Sequence, residues 1–384
     1  MRDRVKVLAI FGNVAHYGQE RANIQVFSLL KEAGYDILLA VNQQGFHWHL
    51  QPEIEKRGLK YKKVNFPWNY RKTLEYKHIK SMIVNTIKCN RQIKKLIKEF
   101  QPDRIHVCND NHVLGLMPTL YFTKIPIIYR LGDKPSAHLS SFHRFAWKHV
   151  IIPKVNQFVC ISRFIRSELL KVGSKHNKID IIYNYPPKRL LENDETLPAI
   201  DNNVLTFTFI GQISKDKGVD ILVEAFLRLC AVHKNCRLLL AGGLEFNEVF
   251  VEGLKKRVAA AGMEGKIKLL GKVKTISKLF EITDINVIPS VYEEPLSNVI
   301  VEAKTYKTAS IVFDSGGLPE LVSHRHDGYI VKDKTIEGLL SAMIYYIENK
   351  ESIEIQSINA FQSLVKLGIT YEQFKTKWLS VYNG

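Results

Sequence analysis

The chain is short of cysteine, of long apolar runs and, in its first half, of acidic residues. Its five cysteines (Cys89, Cys108, Cys160, Cys230, Cys236) are odd in number and form no C-x-x-C pair. That pattern argues against a disulfide framework and a thiolate zinc site. It points to a reducing compartment, with the thiols as small buried apolar groups. No apolar run approaches the roughly 18 residues of a membrane span. The first, Val5 to Phe11, is too short and too soon followed by polar residues to be expected as a signal peptide. Low-complexity tracts and short-period repeats are also missing. No histidine or carboxylate spacing suggests a metal, so no metal and no cofactor is expected.

The shortage of acid is local. Residues 1–190 carry 33 Lys and Arg against 13 Asp and Glu, whereas residues 191–384 carry 22 against 25. The whole net charge of +17 therefore belongs to the first half. It is densest between Ile54 and Lys98, where 14 basic residues face only Glu55 and Glu75. Such a field attracts an anionic partner: an acidic membrane surface, a lipid-phosphate acceptor or nucleic acid. In the candidate helix Lys77–Glu99, the residues Ile87, Ile93, Leu96 and Ile97 are expected to face the core. Docking to a bilayer would then be electrostatic, without deep insertion.

What is present is an alternation of short apolar runs with amphipathic segments, the pattern of parallel α/β sheets. Strands are expected at Val5–Ile10, Ile37–Val41, Arg104–Val107, Ile125–Tyr129, Gln157–Cys160 and Ile179–Tyr183. After a polar stretch containing Pro186 and Pro187 the pattern restarts at Leu205–Ile210, Arg237–Ala241, Ile267–Leu270, Ile285–Ile288 and Ser310–Phe313. Helices are expected at Glu20–Ala33, Lys77–Glu99, Arg163–Val172, Gly218–Val232 and Glu248–Ala261. This gives two doubly wound, Rossmann-like domains: residues 1–186, a linker at 187–203, a second domain at 204–367, and a C-terminal helix at 368–384.

Chemistry concentrates in Pro289-Ser-Val-Tyr-Glu-Glu-Pro-Leu-Ser-Asn-Val-Ile-Val-Glu302. Ser297 reads as an N-cap, with Asn298, Val299 and Ile300 as the first turn. Glu294 then lies in the loop before the helix and Glu302 about one turn inside it. Between them stands the positive end of the helix dipole, a seat for phosphate. Phosphate flanked by two carboxylates able to grip hydroxyls is the chemistry of a nucleotide-sugar site. Lys217, beside Gly218 at the start of a helix, brings an ammonium to the same phosphate.

These residues resemble the E-x7-E signature of retaining glycosyltransferases of GT-B architecture, in particular glycosyltransferase family 4. The resemblance continues through Asp314-Ser-Gly-Gly-Leu-Pro-Glu320 and Asp327-Gly-Tyr-Ile-Val331, and upstream through Phe209-Ile-Gly-Gln-Ile-Ser-Lys-Asp-Lys-Gly218. It implies two Rossmann-like domains facing across a cleft, with the C-terminal helix crossing back to the first. It implies that Glu302 grips ribose, that Glu294 grips the sugar, and that Lys217 holds the departing diphosphate with Gly211 and Ser297. The loop Gly271-Lys-Val273 would hold the base, and the glycine loop Gly12 to Gly18 would approach the donor phosphate. Asn184 and Ser162 match positions at the domain crossover and at a strand end.

Three places depart from the family pattern. In the glycine loop, His16-Tyr17-Gly18 stands where one glycine of the usual pair is expected. Gln212 stands where an arginine is usual, leaving Lys215 and Arg130 as cations that could compensate. Gly132 stands where an acceptor-side histidine is usual. That leaves Asp133 to orient or deprotonate the acceptor, with His106, His112 and His138 close by in sequence.

The expected activity is transfer of a sugar from a nucleoside diphosphate to a glycan or lipid-linked acceptor, with retention, in surface polysaccharide synthesis. The expected location is cytoplasmic and peripheral at the inner face of the membrane. Within the fold the rivals are a nucleotide-sugar epimerase and a phosphorylase. From another class, the rival is a basic protein binding anionic lipid or nucleic acid on a decayed scaffold of the same kind.

Overall fold

Short segments rich in Val, Ile, Leu and Phe become strands, most of them buried on both faces, as parallel sheets require. The computed structural model describes residues 4–12, 18–43, 46–66, 76–108, 110–174, 179–185, 203–244 and 247–383. The expected linker, apart from residue 203, and His16 with Tyr17 of the glycine loop lie outside them.

Two parallel sheets organise the described residues. The first contains β1 (Lys6–Phe11), β2 (Asp36–Asn42), β3 (Lys60–Val64), β4 (Arg104–Val107), β5 (Ile127–Leu131), β6 (Gln157–Cys160) and β7 (Ile179–Ile181), in the order β3-β2-β1-β4-β5-β6-β7. The second contains β8 (Leu205–Ile210), β9 (Cys236–Ala241), β10 (Ile267–Gly271), β11 (Ile285–Ile288), β12 (Ala309–Phe313) and β13 (Gly328–Val331), in the order β10-β9-β8-β11-β12-β13. This is the two-unit Rossmann-like α/β fold that the alternation predicts. Each sheet reverses its winding once, between β1 and β4 and between β8 and β11. Crevices for ligands open at the carboxyl ends of strands at such switch points.

The chain divides into one unit of Met1–Asn184 with Tyr371–Gly384, and another of Tyr185–Thr370. Residues 368–370 therefore lie with the second unit, and the last helix, Tyr371–Asn383, belongs to the first. Its Phe374, Trp378, Val381 and Tyr382 are buried there. Tyr371 donates to Glu32 at 3.3 Å and Tyr35 to Asn383 at 2.7 Å.

The helix Tyr76–Phe100 corrects one expectation. Its second half packs through Cys89, Ile93 and Leu96. Ile87, expected in the core, is half exposed, and Met82, Ile83 and Val84 are exposed with it among Lys80, Lys88 and Arg91. No helix of the described residues is long and apolar enough to cross a membrane.

Candidate active site

The second unit builds its site at the carboxyl ends of β8 and β11, on either side of the switch point. The loop after β8 runs from Gly211 to Gly218, where the helix Val219–Val232 begins. Gly218 adopts a left-handed φ of +67°, and a Cβ there would stand 2.0 Å from the Pro289 carbonyl oxygen. Only glycine fits, so the Lys217 loop presses directly on the end of β11. The Asp216 carbonyl accepts from the N–H groups of Val291 and Tyr292 at 3.0 and 3.1 Å, tying the two loops together.

Across this junction the Lys217 ammonium meets the Glu294 carboxylate at 2.5 Å. Ser290 donates to the same carboxylate oxygen at 2.7 Å. An ammonium carries three N–H donors and a carboxylate about four acceptor positions, so both groups keep capacity for a ligand. Nearby, Gly211 and Gly242 are packed backbone to backbone: a Cβ on Gly242 would fall 1.7 Å from the Gly211 oxygen.

Gly316 and Gly317 support Glu294 from beneath. Gly316 has φ +59°, and its Cβ would lie 2.4 Å from the Glu294 carbonyl oxygen. Gly317 donates its N–H to that oxygen at 2.7 Å. Ser315 donates to the Tyr292 carbonyl at 2.9 Å, and Lys334 donates to Ser315 at 3.0 Å. The Asp-Ser-Gly-Gly run read from the sequence thus acts as the floor of the Glu294 loop.

Ser297 caps the helix Asn298–Thr305, its hydroxyl accepting from the Ile300 N–H at 3.4 Å. Asn298 and Val299 are half-buried, and Glu302 is buried one turn further on. Val273 and Val299 pack on one small apolar cluster of Ile276, Phe280 and Ala303. Gln212 is exposed.

The sequence reading passed over a residue two beyond Glu302. Lys304, 1% exposed, pairs with Asp327, 2% exposed, at 2.8 Å and also donates to Ser363. Burial pulls the Lys304 pKa down, and Asp327 opposes that shift. Asp327 accepts from the Ser323 N–H at 2.6 Å through its other oxygen. The Asp327-Gly motif is therefore the counter-ion that fixes the helix carrying Glu302. A lysine beside the buried Val301 and Ala303 on a helix that enters the core was the available signal.

In the first unit the switch point lies between β1 and β4. Gln19, after Gly18 in the helix Gly18–Glu32, donates to the Cys108 carbonyl at 2.9 Å. A Cβ on Gly132 would meet the Gln19 amide nitrogen at 2.9 Å. Gln19 fills the space that a side chain at position 132 would need. Asp133 is exposed after β5 and accepts from the Lys134 N–H at 2.7 Å.

Three first-unit residues named from the sequence have structural partners. Arg130 is buried, its guanidinium donating to Asn23 at 3.0 Å and Asn184 at 2.6 Å, and burial lowers its pKa to about 10. It is a structural cation of the first unit, and Asn184 is its partner. Ser162 caps the helix Arg163–Lys171 at 3.1 Å from the Ile165 N–H. His106 is fully buried, hydrogen-bonded through Nδ1 to the Tyr382 hydroxyl, and burial with the Arg130 charge lowers its pKa to about 3. It anchors the last helix and is closed to an acceptor. His138 is exposed, its Nδ1 2.8 Å from the Pro135 carbonyl; the His112 side chain lies outside the described ones.

Two parallel α/β units of this kind are the fold of GT-B glycosyltransferases. Residues 17–185 match the model of Glycosyltransferase Family 4, and residues 192–363 match that of Glycosyl transferases group 1. Between them the two models span most of the chain, and the protein is a glycosyltransferase of this group.

Relatives agree. An uncharacterised glycosyltransferase of Haemophilus influenzae is 23% identical over 340 residues, covering 87% of this chain and 88% of its own. One from Methanocaldococcus jannaschii is 27% identical over 61% of this chain, which spans 59% of that relative. Among solved structures, a glycosyltransferase from Rickettsia africae superposes with a TM-score of 0.81 at 18% identity, covering 99% and 98% of the two chains. Anabaena HepE in complex with UDP superposes equally, at 0.81 and 16% identity, covering 99% of this chain and 100% of its own. These two show the fold.

Proposed function

We propose that the protein transfers a sugar from a nucleoside diphosphate sugar to a glycan or lipid-linked acceptor, with retention, in surface polysaccharide synthesis. The carrying observation is the Lys217–Glu294 pair, seated on glycines that admit no side chain, at the switch point of the second sheet. Lys217 and the N–H groups at the start of the helix Asn298–Thr305 meet the leaving diphosphate, where charge develops in the transition state. Glu302 accepts from the ribose hydroxyls and Glu294 from those of the sugar. Anabaena HepE, whose fold this chain shares, has been solved with UDP-glucose, so that donor is the first to test. Retention rests on the family resemblance. Asp133, exposed after β5, is the group proposed to orient the acceptor hydroxyl.

The test is donor binding and hydrolysis across UDP-, GDP- and ADP-sugars in the wild type and in Glu302→Ala. A matching nucleotide at a hundred times its Kd stabilises by about 2.7 kcal/mol, a shift visible in thermal melting. We expect Glu302→Ala to abolish transfer and weaken nucleotide binding. Unchanged nucleotide affinity in that variant would sink the ribose assignment.

The first unit is proposed to rest on an anionic bilayer. Each basic residue near such a surface contributes about 1 kcal/mol, screened within a Debye length. The exposed Met82, Ile83, Val84 and Ile87 add an apolar face beside Lys80, Lys88 and Arg91. Co-sedimentation with acidic liposomes, weakened by high salt and by Ile83→Ser with Ile87→Ser, is the expected result. Binding indifferent to lipid charge overturns it.

A further inference from the structure

We propose that a cavity of the first unit, apart from the residues assigned above to the donor, binds the phosphate headgroup of an amphiphilic phosphate ester. The cavity holds about 550 Å³ and lies along residues 137–149, where a turn and the helix Ser141–Ala146 follow β5. Among the described residues, Arg144, Lys148, His138, His149, Ser140 and Ser141 line it, and no lining residue is acidic. A cavity lined by cationic and hydroxyl-bearing residues, and by no acidic one among the described residues, selects an anion rich in acceptor oxygens. A guanidinium supplies paired N–H donors in the geometry of phosphate, and an ammonium supplies a point charge beside it.

The rim specifies the rest of the ligand. Leu139, Phe142 and Phe145 are 62%, 71% and 60% exposed, three large apolar side chains within seven residues. Phe142 and Phe145 stand three apart on one helical face. Phe145 is also part of the cavity wall and packs on the His149 ring at 4.7 Å. Apolar surface continuous with a cationic cavity fits a molecule whose hydrocarbon begins where its phosphate ends. Single-stranded nucleic acid also combines phosphate with stacking, but it needs a groove that tracks successive phosphates. Here Arg144 and Lys148 line one and the same pocket, which favours a single headgroup. In its purpose the proposal rests on the glycosyltransferase reading: a lipid phosphate held here would be the lipid-linked acceptor or its product.

The experiment measures equilibrium binding to the full chain with UDP present throughout, so that the second-unit site is occupied. Farnesyl diphosphate, below its micelle concentration, is compared with inorganic diphosphate and a short oligouridylate. Farnesyl diphosphate is expected to bind about tenfold or more tightly than inorganic diphosphate. Arg144→Gln with Lys148→Gln is expected to weaken both by about tenfold or more. Phe142→Ser with Phe145→Ser is expected to weaken only the farnesyl ligand. Equal affinity for the two diphosphates overturns the amphiphile, and tighter binding of oligouridylate assigns the cavity to nucleic acid. Indifference to both double variants, with UDP affinity intact, overturns the site. Failure of every form to bind UDP or a UDP-sugar would count against the uridine donor and leave the comparison at the cavity decisive.

Discussion

Lys217 and Glu294, 77 residues apart in the chain, meet at 2.5 Å across the switch point of the second sheet. Neither belongs to a strand: each stands in the loop that leaves one. The sheet places those loops side by side, and Gly218 lets them touch.

Lys217→Ala should leave the fold intact, because the side chain is part-exposed and hangs from a loop held by its backbone. Turnover should fall by roughly a hundredfold or more, the scale for removing one group that meets developing charge. Steady-state kinetics beside a melting curve separate the two. Near-normal turnover in a folded variant means that Lys217 does not touch the leaving group.

Gly316→Ala asks whether the floor under Glu294 matters. A Cβ there stands 2.4 Å from the Glu294 carbonyl and takes a left-handed φ. The strain should cost about 1–3 kcal/mol. Transfer should fall by more than the loss of folded protein explains, because the displaced loop carries the carboxylate. Activity per folded molecule, with the folded fraction read by circular dichroism, is the measurement.

Asp327→Ala leaves the Lys304 ammonium buried without its counter-ion. The loss should be about 3–5 kcal/mol, whereas Lys304→Met with Asp327→Leu should cost far less, since a well-packed apolar pair avoids burying charge. Urea midpoints of the single and double variants decide it. A double variant as unstable as the single one would contradict this account.

His106 makes the first unit acid-labile. Its pKa is lowered from 6.5 to about 3 by burial, so below pH 6.5 the unfolded chain binds a proton that the folded one refuses. Stability is then fully present above pH 6.5 and declines toward pH 3, with a slope of up to about 1.4 kcal/mol per pH unit from this group. His106→Phe should flatten that part of the pH–stability curve. An unchanged slope would mean that His106 is not the group responsible.

Much of the fold was legible because its signals are local. Strand runs such as Leu205–Ile210 and Ile285–Ile288 are dominated by large apolar residues and were located to the residue. β3, Lys60–Val64, escaped notice: three of its five residues are lysines. It is an edge strand, paired on one side only and largely exposed, so it needs no apolar run, and lysine guards such edges against further pairing. Ser297, Glu294 and Glu302 were legible together because an N-cap and a first turn are set within a few residues.

The amino-acid order by itself determined the two parallel α/β units, the helix that begins at Ser297 and the charge imbalance between the halves. Propensity, capping and periodicity act over one or two turns, and charge is a sum that needs no coordinates. Tertiary structure alone decided which groups are desolvated and what each one faces. It put Arg130 between Asn23 and Asn184, filled the place beside Gly132 with Gln19, closed His106 under Tyr382 and gave Lys304 its Asp327. Those partners lie 23 to 276 residues apart. Burial is a property of the packed molecule, and burial makes a charge costly without a partner and a histidine neutral.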